Sequence, residues 1–439
     1  MQNGGTPTWL KLLLVPLGLL LVIPVLWVFV SVTATPVHPN PESMPTVMHS
    51  PPLPKWAGAV EKARQTVRTS VAEQNLPGLS VAIGIDGDLA WAEGFGFADL
   101  AASVPVTPDH KFRIGTASTV LTSAAAGLLL ENGRLKLDEE IQTYVPEFQK
   151  KNPSSITLRQ LMGHTSGVTP DDNDERPLIR THCERPAEAV QHFKNWLFFE
   201  PEAKGHYSIY DWILVSAAIE TAADQPFLTF MKERVFDPLR MRDTVADPGP
   251  DPAEVEGEDF PGFILLRELI HDPGATRGSA TDATKKPVQV TPYSTRFRSD
   301  PNYGMHVSRL LDYSCYAGSS VFVSTPSDLV RFGMAINGGN LLKPATVELL
   351  QTSQLLPSGE ETGYGLGWYL KTVTVAGKPT RVTGHDGDSM GGMVASLMTV
   401  PKYGIVVAAT SNISYADTFS LAVRIAQAFA GQRKSPARN

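Results

Sequence analysis

A chain of 439 residues with 42% hydrophobic and 19% charged residues has enough apolar material for one large core or two smaller ones. Its formal net charge of −7, with no basic run interleaved with aromatic residues, argues against nucleic acid as a partner. Ten histidines and two cysteines show no C-x-x-C or H-E-x-x-H spacing, so no metal site is expected and no cofactor is implied.

Leu12 to Val32 is a stretch of 21 residues without Asp, Glu, Lys or Arg. As a helix it would span about 30 Å, the thickness of a bilayer core. Lys11 precedes it, and the next charged residue is Glu42, an asymmetry that places the following domain outside the cytoplasm. The expectation is a single-pass membrane protein, anchored by this helix, with its domain on the extracytoplasmic (periplasmic) side. The alternative is secretion after signal cleavage at the small-residue site Val32-Thr33-Ala34, although typical signal cores run only about 7–15 residues. Residues 1–34 are therefore the anchor or signal segment. The linker at 35–55, with seven prolines from Pro36 to Pro54, reads as a stiff spacer.

Trp56 to Gln74 has helical periodicity. Leu79 to Ile85 and Leu89 to Phe95 are apolar runs around Asp86-Gly87, the signature of a hairpin. After Ile114, apolar residues recur at three and four from Val120 to Leu129, and Asn132-Gly133 ends that helix. Pro248 to Asn302 is rich in Pro, Gly, Asp and Thr and is expected to be surface loop. A helix follows Thr325-Pro326 and ends near Asn340. Gly363 to Leu370, Val394 to Val400 and Ile405 to Thr410 read as strands, and Ser420 to Ala430 as an amphipathic helix. Strands at both ends with helices between them indicate one α/β domain over 56–432. Its sheet part covers about 56–115 and 320–432, its helical part about 116–319, and 433–439 is a polar tail. Cys183 and Cys315 lie far apart in sequence; export permits a disulfide, and two free buried thiols are equally consistent with the spacing.

Phe112-Arg113-Ile114-Gly115-Thr116-Ala117-Ser118-Thr119 resembles the F-R-I-G-S-x-x-K motif of penicillin-binding proteins and class C β-lactamases. The resemblance continues in chain order over residues 56 to 430. Leu161 to Gly167 is similar to L-L-x-H-T-S-G, His206-Tyr207-Ser208-Ile209 falls on Y-x-N, Ser324 to Leu329 resembles S-T-x-x-D-L, and His385-Asp386-Gly387 stands where K-T-G or H-x-G is found. The resemblance extends to the family's esterase and LACTB-like branch. It implies an antiparallel sheet flanked by helices with a helical insertion, the β-lactamase/transpeptidase-like α/β fold.

It also implies a chemistry, acyl transfer from amides or esters. A Ser at a helix N-terminus attacks the carbonyl, a Lys one turn on keeps it activated with the Tyr and Asn of the second motif, and two backbone N–H groups hold the oxyanion. By position the nucleophile is Thr116, the Lys site is Thr119, the Tyr is Tyr207, the third-motif base is His385, and the N–H donors belong to Thr116 and Asp388 beyond Gly387. The Asn site is Ile209.

These substitutions change the expected chemistry. Thr116 keeps a hydroxyl but adds a methyl that restricts χ1. Thr119 removes the cation that would lower the pKa of Tyr207 from about 10. Ile209 removes the amide that would satisfy a buried ammonium, and an unpaired buried charge is very costly. Loss of Lys and Asn together is self-consistent, and no serine has Lys three residues later to replace the pair. Ser118 is rotated about 200° from Thr116 along a helix and is not expected in the site. His385 could contact a substrate carboxylate or move a proton. Gly387-Asp388-Ser389-Met390-Gly391 matches the G-x-S-x-G elbow, but no helix pattern and no later His follow it, so that match carries no chemistry.

Three functions follow. The first is a degenerate relative that binds a small-molecule or peptide-like ligand, or a protein partner, in the old cleft. The second is a slow acyl hydrolase using Thr116, and the third a scaffold or self-assembling protein.

Overall fold

Ile85 and Asp88 pair directly across Asp86-Gly87, whose φ values of 53° and 93° are those of a two-residue turn with both central residues left-handed. The computed structural model describes residues 33–148, 155–168, 176–179, 181–192, 200–250, 289–295, 299–309 and 311–432, together with Val22. The stretch Leu12 to Val32 and most of the expected surface loop at Pro248 to Asn302 lie outside the described residues.

Eight strands build the main sheet: β1 (Thr46–Val47), β2 (Gly78–Ile85), β3 (Asp88–Asp99), β4 (Val104–Pro105), β5 (Tyr369–Val375), β6 (Lys378–Ser389), β7 (Met393–Val400) and β8 (Ile405–Ser411). Their order is β1-β3-β2-β8-β7-β6-β5, with β4 beside β3, and every pair is antiparallel. The first and last parts of the chain meet where β2 pairs with β8.

Among the described residues, α1 (Ala57–Glu73), α2 (Ser118–Glu131), α4 (Pro326–Asn337) and α5 (Thr418–Ala430) pack on this sheet, while α3 (Ile209–Ala223) packs against α2. On one face α1 and α5 bury Val60, Val67, Leu421 and Phe429 against Val81, Ile83, Val407 and Ala409. On the other, Val120, Leu121, Val330 and Phe332 pack with Ala82, Leu397, Val406 and Ala408. Covering both faces explains why Ile405 to Thr410 reads as an unbroken apolar run with no alternation. The helices match their sequence patterns closely, except that Gly115 to Ala117 form a 3-10 turn before α2 begins at Ser118. Gly363 to Trp368 lies ahead of β5, and positive φ at Gly363 and Gly367 keeps it irregular.

The segment 35–55, expected to be a stiff spacer, is instead laid along the domain. Thr46 and Val47 pair with Phe95 and Gly94 at the sheet edge, His38 stacks on Phe97, and Met44 is buried. Proline enrichment signals extended backbone, which serves an edge strand as well as a spacer.

Cys183 and Cys315 are bonded, with Cα atoms 4.9 Å apart. Nearby, Arg113 pairs with Asp247, donates to the Leu311 carbonyl and lies over the Tyr313 ring. This fastens the strand entering the Thr116 turn to the chain around the disulfide. The bond closes a loop of sequence separation 132. Cys183→Ser should therefore lower unfolding free energy by about 2–4 kcal/mol. Denaturant melts with and without reductant check this, and a variant as stable as the unreduced parent would contradict it.

Candidate active site

The site forms where β6 passes the turn that starts α2. A Cβ on Gly387 would stand 1.9 Å from the Ile114 carbonyl oxygen and 2.9 Å from the Thr116 nitrogen. One on Gly115, at φ 51°, would stand 2.4 Å from the Asp388 carbonyl oxygen. Only glycine allows either approach. β5 pairs with β6 no further than Tyr369 opposite Gly384, so the edge from His385 to Ser389 is open on that side. The Asp386 carbonyl on this edge accepts a hydrogen bond from Thr116 Oγ1 at 3.2 Å. Strand periodicity turns the backbone of Asp388 the same way, so its N–H faces the cleft beside Thr116.

Thr116 Oγ1 also meets the Tyr207 hydroxyl. Tyr207 keeps 37% of its surface exposed. Desolvation at the hydroxyl pushes its pKa above the usual 10, and the contact with Thr116 only partly opposes that. Tyr207 therefore keeps its proton near pH 7, and Thr116 directs its own proton to a carbonyl, which is not a base.

Thr119 is fully buried, and among the described residues its hydroxyl has no hydrogen-bond partner and no cation stands beside it. Ile209, the first residue of α3, packs against the core. His385 is 3% exposed, and burial lowers its pKa to about 4, so it is neutral near pH 7. Its Nδ1 lies 2.5 Å from the Asp386 carbonyl oxygen. Because a carbonyl only accepts, Nδ1 carries the proton and Nε2 presents a lone pair, which is buried without a partner. Lys371 acts on His385 from a distance, but its ammonium pairs with Asp386 at 3.1 Å over the Tyr369 and Phe419 rings. Asp388 is exposed as a residue, and desolvation of its carboxyl raises its pKa to about 7.

Thr116, Tyr207, His385 and the backbone of Gly387 and Asp388 are thus gathered at one place, while Thr119 lies buried in the first turn of α2 and Ile209 at the start of α3. Ser118 is buried, and its hydroxyl is unpartnered. Ser389 bonds Met393 across the β6–β7 turn, which is no nucleophile elbow.

Sequence reading passed over His164, Asp211 and Tyr364. His164, left-handed at φ 58°, has its ring 4.5 Å from that of Tyr207 at a tilt of 39°, and its Nδ1 lies 3.1 Å from Asp211 Oδ2. Ser166 donates to the other oxygen of that carboxyl. Burial lowers the His164 pKa to about 3 and raises that of Asp211, disfavouring the charged form of both. An Asp in the apolar run Ile209 to Ala223 was the available signal, since an unpaired carboxylate is rarely fully buried.

An antiparallel sheet with Thr116 in the turn that leads into α2, Tyr207 beside it and β6 alongside defines a protein of the serine β-lactamase and penicillin-binding-protein class. The chain belongs to the Beta-lactamase family, whose model matches residues 63–430. It is 24% identical to the Homo sapiens serine beta-lactamase-like protein LACTB, mitochondrial, over 87% of this chain and 81% of that protein. It is 26% identical to penicillin-binding protein 4 of Amycolatopsis lactamdurans, over 79% and 84%. In structure it resembles the D-amino acid amidase of Ochrobactrum anthropi solved with L-phenylalanine, with a TM-score of 0.64, 20% identity and coverage of 86% and 99%.

His385 has a folded pKa below its unfolded value near 6.5, so the unfolded chain takes up the proton first as pH falls. Its contribution is complete above pH 6.5 and declines as pH drops toward 4. His385→Asn should make the loss of stability between those limits shallower by about one proton's worth, roughly 1.4 kcal/mol per pH unit. Denaturant melts across that range test it; an unchanged slope would contradict a buried neutral imidazole.

Proposed function

We infer that this protein is an exported, membrane-tethered member of the family whose cleft binds a small-molecule or peptide-like ligand without turning it over. The observation that carries this reading is Thr119, a buried hydroxyl with no partner in the place of the ammonium that activates the nucleophile. Tyr207 protonated, His385 neutral and the Thr116 proton held by a carbonyl all point the same way. The uncharged stretch Leu12 to Val32 supports tethering, and the Cys183–Cys315 bond supports an oxidising compartment. Among the described residues no helix is long and apolar enough to cross a membrane, and that stretch lies outside them apart from Val22.

A slow hydrolase is the second reading, favoured by the retained Thr116–Tyr207 contact and by the Asp388 N–H on the cleft edge. Hydrolysis of an activated phenyl ester separates the two. Binding without turnover predicts the same rate for wild type and Thr116→Ala. A rate that falls at least about ten-fold in the variant, a loss of about 1.4 kcal/mol of transition-state stabilisation, would establish the hydrolase instead.

A further inference from the structure

From Thr33 onward, the chain that follows the uncharged stretch Leu12 to Val32 is fastened to the domain. Thr33 bridges Tyr303, and Ala34 N–H donates to the Asn302 carbonyl at 3.1 Å. The Asn75 side chain then donates to the Thr35 carbonyl and accepts from the Val37 N–H, and the His38 ring stacks on Phe97. Between Val32 and the residue paired to Tyr303 lies a single Cα–Cα step of about 3.8 Å. The polar zone on each side of a bilayer core is about 5–8 Å deep, more than that step. A tether that ends at Val32 therefore leaves Tyr303 within the headgroup region.

The surface beside this pin is apolar. Met305–Val307 pairs with Tyr293–Thr295, next to the end of the main sheet where β2 begins and β8 finishes. Val307 is four residues from Tyr303, no more than about 14 Å of chain, and keeps 59% of its surface exposed. Met390, on the β6–β7 turn, keeps 48%. The two segments meet, since a Cβ on Gly392 would stand 2.8 Å from Ser308 Oγ. Single exposed apolar side chains are ordinary surface. Beside a pinned exit point that carries a tyrosine, they form an edge suited to the membrane–water interface. The neighbouring acid, Asp300, accepts from both the backbone and the side-chain nitrogen of Asn302.

We propose that the face carrying Tyr303, Val307 and Met390 rests on the bilayer surface, held there by the unspaced connection at Thr33. This rests on the reading of Leu12 to Val32 as a membrane tether. Asp388 lies two residues before Met390 on the open edge of β6, so the docked face borders the cleft and keeps it beside the lipid headgroups. The contact is apolar and interfacial, so neutral lipid suffices for it.

The test uses an introduced thiol, which is the single free one because the two native cysteines are bonded to each other. Val307→Cys, Met390→Cys and, as a reference, Lys402→Cys are labelled with bimane in the full-length chain. Each is reconstituted into phosphatidylcholine vesicles with and without a lipid bearing a nitroxide on its headgroup. Lys402 lies past the other end of β7 and β8, about 20 Å along the strands from the docked face. Labels at 307 and 390 should lose emission to the nitroxide at least about two-fold, because one polar zone holds both groups, and the label at 402 should keep its emission. All three positions are exposed, so the variants should keep the parent's melting temperature. In a chain that floats with the vesicles, an unquenched label at 307 or 390, or equal quenching at 402, would overturn the docking and leave the tether standing. A chain that does not float with them would sink the tether, and the docking with it.

Discussion

The backbone of β6 runs so close to the turn at Thr116 that neither Gly115 nor Gly387 has room for a side chain. Every feature of the cleft hangs on that approach. It brings the Asp386 carbonyl to the Thr116 hydroxyl, sets the Asp388 N–H beside Thr116, and puts the His385 ring against Tyr207. It holds because both elements are fixed elsewhere: β6 by its ladder to β7, and the turn by α2 in the core. The approach of β6 to the Thr116 turn is therefore preserved by packing.

What fills the frame is governed by desolvation. A buried lysine would need partners for its ammonium, and α3 begins with Ile209 where such a partner would stand. With threonine at the lysine position, burial is the largest influence on each group: it raises Tyr207 and Asp211 and lowers His385 and His164. Each group is driven to its neutral form by the same cause. The described part of the cleft thus presents neutral aromatic and hydroxyl groups around Thr116, which is what supports the proposed binding role.

Much of this was legible in the sequence because the motifs are contiguous. The run Phe112 to Thr119 fixed the start of α2, and Asp86-Gly87 fixed a hairpin by turn chemistry that needs no tertiary information. Gly115 and Gly387 were visible as glycines, though not as a mutually touching pair. His164 and Asp211 were missed because they lie 47 positions apart and meet only when the segment before α3 folds back. The proline-rich segment misled because proline reports backbone extension and says nothing of what the extended chain lies on. The disulfide was undecidable for a similar reason: a separation of 132 residues carries no geometry until the fold is known.

The most direct measurement is intact-mass spectrometry of the full-length chain after exposure to a fluorescent penicillin, alongside a variant carrying Thr116→Ser, Thr119→Lys and Ile209→Asn. An intact frame lacking its activating cation predicts an unchanged mass for the wild type and a single acyl adduct on the triple variant. A wild-type adduct that Thr116→Ala removes would contradict the account, because Thr116 would then be an active nucleophile without the lysine.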